Sequence, residues 1–184
     1  MIMLFSEITE QLEGEVIHGE GDPKIASLVY DSRKIERGCV FVCVKGAKFD
    51  GHDAAKEAVK KGAAAVIVEH EVDITPGSGL VYRTPDTRHA LAVLSAAWFG
   101  HPARSLKVIG ITGTKGKTTT TYMIKSILEN AGIRTGLIGT IEAIIGDERI
   151  PALNTTPESF VVQEYFARMR DAGIEAVVME VSSQ

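Results

Sequence analysis

Cysteine is scarce in this chain, with two residues in 184, which excludes a disulfide-stapled fold. Cys39 and Cys43 sit in "GCVFVCV", four residues apart. On a strand that spacing is roughly 13 Å, too far to bridge, so both are expected as buried thiols. Positive charge is not in excess either: the formal net charge is −4 and the sequence pI about 5.8. A nucleic-acid-binding surface is therefore not expected, and no basic run is long enough to hold a membrane surface. No stretch approaches the ~20 consecutive apolar residues that span a bilayer. The start, "MIMLFSEITEQLEGE", has neither a basic n-region nor a cleavage site, so it does not read as a signal peptide. What remains is a composition 45% hydrophobic and 24% charged, that of a soluble globular protein, expected in the cytoplasm.

No internal repeat or low-complexity tract is visible, and strand-like and helix-like segments alternate. "CVFVCVKG" and "AAVIVE" read as buried strands on either side of "GHDAAKEAVKKGA", whose helical face is Ala54, Ala55, Ala58 and Val59, with Gly62 at its end. "TPDTRHALAVLSAAWFGHP" reads as a helix with Thr84 as N-cap and Pro85 in first position. Further on, "LKVIGI" reads as a buried strand and 117–131 as a helix with Met123, Ile124, Ile127, Leu128 and Ala131 on its apolar face. "TGLIGT" is the next strand, and "IEAIIGDERIP" a hairpin turning at Gly146-Asp147. After "NTTPES", with Thr156 as N-cap and Pro157 in first position, a helix runs through Val162, Tyr165, Phe166 and Met169, before a last strand, "AVVMEV". Such alternation predicts an α/β fold with parallel sheets covered by helices, in two modules, 1–103 and 104–184. A parallel strand calls for a crossover after it, so the second module is expected to be the first part of a longer domain.

The stretch "GITGTKGKTTTTYMIK" carries the chemistry. The common phosphate loop, G-x-x-x-x-G-K-[ST], would need glycine at position 111, which is Ile111. A shorter loop, residues 112–116, has Gly113 and Gly116 as turning points, Lys117 as its cation and Thr118 as a hydroxyl for Mg²⁺. The strand before it and the helix after it set the anion at a helix N-terminus. A glycine-rich turn that binds nothing is the alternative. Four threonines, Thr118 to Thr121, are poor helix starters, and hydroxyls lining a polyphosphate account for them better. Nucleoside triphosphate binding is the reading.

That shortened loop, together with "NTTPES" and "MEVSS", resembles the Mur ligase family, the ATP-dependent amide-bond ligases of peptidoglycan assembly, in which the loop reads G-T-x-G-K-[ST]. The first module, from "YDSRKIERGCVFVCVKGAKFDGHDAAKEAVKKGAAAVIVE", is similar to the UDP-binding N-terminal domain of the branch that adds the third amino acid, diaminopimelate or lysine. The resemblance implies a role for several positions. Gly113, Thr114, Lys115, Gly116, Lys117, Thr118 and Thr119 would hold ATP, with Lys117 the catalytic cation. Thr118 and Glu180 would hold Mg²⁺. Tyr30, Ser32, Ala47, Lys48 and Phe49 match positions at the uridine diphosphate end of the substrate, and Asn154, Thr155, Thr156 and Ser182 match contacts to its muramoyl-dipeptide.

The implied reaction joins UDP-N-acetylmuramoyl-L-alanyl-D-glutamate to an amino acid through an acyl phosphate. The implied protein is a monomer with no nucleic-acid or membrane partner. The family's modified lysine and its amino-acid-selecting domain have no counterpart here, so the chain alone is not expected to catalyse ligation.

Two positions depart from the family pattern. Lys115 stands where asparagine is most common, and Gln184 where histidine usually follows Ser-Ser. Plainer roles stay open for several residues. Asp31 and Arg33 form an ion pair or contact ligand, Lys48 is a solvated lysine or a contact, Asn154-Thr155-Thr156-Pro157 is a helix cap or a ligand loop, and Glu180 is a strand-end acid or a metal ligand. Competing readings of the whole are the folylpolyglutamate synthase branch, the D-alanyl-D-alanine-adding ligase, and a non-catalytic nucleotide-binding module.

Overall fold

The computed structural model describes residues 2–46, 49–74 and 79–182. The chain divides into two compact units, Met1–Trp98 and Phe99–Gln184. Each carries a five-stranded sheet whose centre is parallel and whose edge is antiparallel.

In the first unit, β1 (Met3–Leu4), α1 (Phe5–Thr9), β2 (Glu15–His18), β3 (Lys24–Ile25) and β4 (Ser27–Val29) precede β5 (Cys39–Val42), α2 (Ala55–Lys60), β6 (Ala65–Val68), β7 (Leu80–Arg83) and α3 (Thr87–Trp98). The sheet order is β2-β7-β6-β5-β4, with β4 to β7 parallel and β2 antiparallel to β7. A separate antiparallel ribbon pairs β1 with β3. Strands β5 and β6 are buried at every position, as continuous apolar runs require when both sheet faces are covered. Cys39, Phe41 and Cys43 face one side, packed with Ala55, Ala58 and Val59 of α2. Alternation sends Val40 and Val42 to the other side, where α3 lies over β4, β5 and β6. Gly62 ends the α2 segment at φ +84, where Ala63 N–H returns to Ala58 O at 3.0 Å.

Helix α3 starts later than its sequence pattern suggests. Asp86, not Thr84, caps it, its Oδ1 accepting from Arg88 N–H at 2.8 Å and His89 N–H at 3.0 Å. Thr84 instead belongs to the strand side, its N–H bonded to Val68 O at 2.9 Å.

In the second unit, β8 (Lys107–Ile111), α4 (Lys117–Asn130), β9 (Thr135–Ile138), β10 (Glu142–Ile145), β11 (Glu148–Pro151), α5 (Ser159–Asp171) and β12 (Ala176–Glu180) follow one another. The sheet order is β11-β10-β9-β12-β8. Strands β8, β12 and β9 are parallel. The expected hairpin extends this parallel core: β10 returns antiparallel to β9 and pairs with β11 across the Gly146-Asp147 turn. One face packs Ile138, Val177 and Met179 against Phe166 and Met169 of α5.

Two expectations of burial fail in this unit. Strand β8 is half-open, with Val108 43% exposed, and α4 leaves Met123 61% and Ile127 67% exposed. Among the described residues β8 pairs only with β12, at the edge of the five-stranded sheet. The strands buried at every position are β9 and the central β12.

Phe41 is wholly buried between Val29 and Val66 partners on neighbouring strands. Phe41→Ala is expected to lower the unfolding free energy of the first unit by about 3–5 kcal/mol. Phe49→Ala, at a position 51% exposed, should change it by less than about 0.5 kcal/mol. Urea unfolding followed by circular dichroism compares the two; equal losses would contradict this account of the core.

Candidate nucleotide and metal site

Three loops leave the carboxyl edge of the second sheet side by side, because β8, β12 and β9 are parallel and in register: Glu180 lies opposite Ile111, and Met179 opposite Ile138. The carboxyl edge of parallel strands is where open α/β sheets bind ligands. After β8 comes the glycine loop. Gly116 takes φ +79, immediately before the first residue of α4, a left-handed conformation that a side chain disfavours. Thr120 N–H already bonds Gly116 O at 3.0 Å, so the N–H groups before it open toward the loop, as at any helix start. Lys117 Nζ donates to Gly113 O at 2.7 Å, which folds the cation over the loop.

The threonine run does not act as one row. Thr118 Oγ1 donates to Glu180 Oε2 at 3.1 Å. Thr121 is fully buried and its hydroxyl bonds back to Thr118 O at 2.8 Å, so it serves the helix. Thr114, Lys115, Thr119 and Thr120 are exposed, and the structure gives no account of lysine at position 115.

Glu180 is 1% exposed at the last position of β12. Burial of a carboxylate is costly unless donors reach it, and three contacts do so. Oε1 accepts from Thr140 N–H at 2.9 Å. Oε2 accepts from the hydroxyls of Thr118 and Thr140, each at 3.1 Å. Gly139 supplies the space, for a Cβ there would lie 2.6 Å from Glu180 Oε1.

The segment around Asn154 is pinned to the same strand end. Thr156 Oγ1 donates to Glu180 O at 3.0 Å and accepts from Ser182 N–H at 2.9 Å, with the Ser182 hydroxyl at 3.0 Å. Thr155 Oγ1 is 3.2 Å from Thr140 Oγ1. Thr156 is therefore not the cap of α5. That helix starts at Ser159, with Glu158 as its N-cap. Asn154 is exposed beside Leu153, which is 97% exposed.

In the first unit, Tyr30 and Ser32 follow the carboxyl end of β4, and Phe49 lies in the segment after β5; the two strands are parallel, with Val29 opposite Phe41. Ser32 opens a short 3₁₀ turn whose cap is Asp31. Arg33 grips that aspartate through its N–H at 3.0 Å, Nε at 2.9 Å and Nη2 at 2.7 Å, so Asp31 and Arg33 are an ion pair within the turn. Hydrogen bonds from Arg33 hold the Asp31 carboxyl down to about 2. Asp50 caps the turn before α2 through His52 N–H at 3.0 Å. The buried His52 ring lies between Asp50 Oδ1 at 2.6 Å and Glu69 N–H at 3.0 Å, an anchor for the segment around Phe49. Ala47, Lys48 and Gln184 lie outside the described residues. Cys39 and Cys43 are free and buried, and burial raises both thiols.

Thr140 and Gly139 were not legible as site residues. "TGLIGT" reads as one strand, yet β9 stops at Ile138. A glycine at the carboxyl end of a buried parallel strand was the available signal.

Among the described residues no cluster of three or more His, Cys, Asp or Glu exists. A cation here has one carboxylate and one hydroxyl, both hard oxygens. That donor set fits Mg²⁺, which binds through few protein ligands and completes its shell with phosphates and water. Among the described residues no helix is long and apolar enough to cross a membrane.

Two family models match: "Mur ligase family, catalytic domain" over residues 24–107 and "Mur ligase middle domain" over residues 111–184. The chain belongs to the Mur ligase family. It is 50% identical over 181 residues to the UDP-N-acetylmuramoyl-L-alanyl-D-glutamate--2,6-diaminopimelate ligase of Clostridium perfringens, covering 98% of this chain and 37% of that protein. A solved structure of a ligase of that name superposes with TM-score 0.79 at 25% identity, over 99% of this chain and 36% of the other. The MurF ligase of Thermotoga maritima, solved in complex with ADP, matches with TM-score 0.53 at 29% identity, over 85% of this chain and 32% of the other. The chain thus spans about a third of the length of these relatives.

The Asp31–Arg33 pair predicts a pH dependence. A carboxyl whose folded pKa is lowered stabilises the turn above its ordinary pKa of 3.8, and that contribution is lost as pH falls toward about 2. An NMR titration should give Asp31 a midpoint near 2, returning toward ~3.9 in Arg33→Ala; an unchanged midpoint would contradict the pairing.

Proposed function

We propose that the chain is the nucleotide- and substrate-binding part of an ATP-dependent ligase that adds the third amino acid to UDP-N-acetylmuramoyl-L-alanyl-D-glutamate. The observation that carries this is the Thr118–Glu180 bond at the phosphate loop, continued through Thr156 and Ser182 to the segment around Asn154. It supports one site in which a triphosphate and an acceptor carboxylate meet. The relatives are named as ligases of 2,6-diaminopimelate, and that is the amino acid proposed here.

The chemistry requires two anions, the D-glutamate carboxylate and the γ-phosphate, to come into contact. Lys117, turned over the loop at Gly113 O, exchanges a carbonyl for a phosphate oxygen and neutralises part of the charge. The α4 N-terminus adds its free N–H groups and dipole. Mg²⁺, when bound by Thr118 and Glu180, supplies further charge neutralisation and orientation of the phosphates. Asn154, Thr155 and Thr156 orient the acceptor end of the dipeptide, and Ser182 sits with them. Tyr30, Ser32, Ala47, Lys48 and Phe49 take the uridine diphosphate in the first module, 1–103, while module 104–184 holds ATP. The carboxylate attacks the γ-phosphorus, the bond to the bridging oxygen breaks and ADP leaves, giving an acyl phosphate; the amine of the incoming amino acid then attacks its carbonyl, releasing phosphate and a proton as the amide forms.

Loss of the Lys117 ammonium removes hydrogen bonds to a charged group, each worth about 1.5–3 kcal/mol. Lys117→Ala is expected to weaken ATP binding to this chain by roughly 10–100-fold, measured by calorimetry. The whole ligase, supplied with ATP and the UDP-muramoyl-dipeptide, should incorporate diaminopimelate, while the 184-residue chain alone should not. Incorporation of D-alanyl-D-alanine instead, or ligation by the chain alone, would contradict the proposal.

A further inference from the structure

We propose that Thr140, seated on Gly139, is the positioning residue that keeps Glu180 aimed at the metal once Thr118 has been taken by it; this rests on the reading that the site binds metal and ATP. Glu180 is buried, and its carboxylate has two kinds of donor. One is Thr118, whose oxygen is also the proposed metal ligand. When that oxygen and a Glu180 oxygen both turn to a cation, the hydrogen bond between them is exchanged for coordination. The other is Thr140, whose N–H reaches Oε1 at 2.9 Å and whose hydroxyl reaches Oε2 at 3.1 Å. These are two donors from one residue to the two carboxylate oxygens, and both can persist while a cation occupies the remaining lone pairs.

The backbone is shaped for this approach. At Gly139 an added methyl would stand 2.6 Å from Oε1, so the residue before Thr140 must lack a side chain for the carboxylate to reach the N–H. The Thr140 hydroxyl has a single proton. With that proton on Glu180, its 3.2 Å contact with Thr155 is accepted from the Thr155 hydroxyl. The chain of hydroxyls then runs from Thr155 through Thr140 to the carboxylate, so the segment around Asn154 and the metal carboxylate are set by the same residue.

Outer partners of a metal ligand, when removed, lower metal affinity by about 10–100-fold. The test compares the chain with Thr140→Val, which keeps the N–H and the shape, and Thr140→Ser, which keeps the hydroxyl. ATP binding is measured by calorimetry in EDTA and then with Mn²⁺, and Mn²⁺ binding is followed by electron paramagnetic resonance with ATP present. The expected result is ATP affinity in EDTA unchanged within about twofold, Mn²⁺ affinity lowered about 10–100-fold in Thr140→Val, and most of it restored in Thr140→Ser. Gly139→Ala, which displaces the carboxylate by a different route, should show the same selective loss and serves if Thr140→Val does not fold. Mn²⁺ affinity equal to wild type in the folded variants would overturn the role of Thr140 alone. Failure of the wild-type chain to bind Mn²⁺ with ATP would overturn the nucleotide-site reading, and this inference with it.

Discussion

A carboxylate closed off from solvent at the end of a central strand organises the second unit. Glu180 is 1% exposed, and an ionised group so placed is tolerated only where donors converge on it. Those donors come from loops that follow separate strands: Thr118 beyond β8 and Thr140 beyond β9, with Thr156 bonded to the carbonyl of Glu180 itself. Parallel pairing of β8, β12 and β9 is what brings the three together at one edge. The sheet order is therefore a condition of the site rather than a backdrop to it.

The same edge explains the phosphate loop. Its lysine folds onto a loop carbonyl, and its first hydroxyl turns to the buried acid. Both contacts are ones that a polyphosphate with a hard cation would replace by stronger, charge-assisted interactions. The neighbouring hydroxyl at position 121 is spent on the helix backbone instead, so the chemistry is concentrated at the first turn. In the first unit a comparable economy of charge holds the turns after β4 and before α2. Asp31 and Asp50 each accept from the backbone two residues on, and each is paired with a cation or an imidazole.

Local patterns were legible where the physics is local. The glycine spacing and lysine of the loop, the two-residue turn at Gly146-Asp147, the continuous apolar runs of β5, β6 and β12, and the buried thiols all follow from residues within a few positions of each other. The position of Glu180 at the carboxyl end of its strand was legible too, while its role as a metal ligand came from the family resemblance. What the sequence concealed depends on neighbours far along the chain. Strand β8 reads as buried but lies at the edge of the sheet among the described residues, and Met123 and Ile127 read as a packed face but are exposed. Thr156-Pro157 has the composition of a helix start, yet Thr156 bonds to the end of β12 and the helix begins only at Ser159. Gly139 and Thr140 look like the end of a strand, and only the register with β12 turns them into the seat of the carboxylate.

The central claim is that the charge on Glu180, not merely its shape, makes this a metal-dependent nucleotide site. Glu180→Gln keeps the size and one carbonyl acceptor while removing the charge. Calorimetric titration of the variant with ATP, in EDTA and then with Mg²⁺, tests the claim directly. The account predicts that ATP affinity in EDTA is retained or improved, since a negative charge near the phosphates is gone, while the gain on adding Mg²⁺ disappears. A variant that still gains affinity from Mg²⁺ as the wild-type chain does would contradict it.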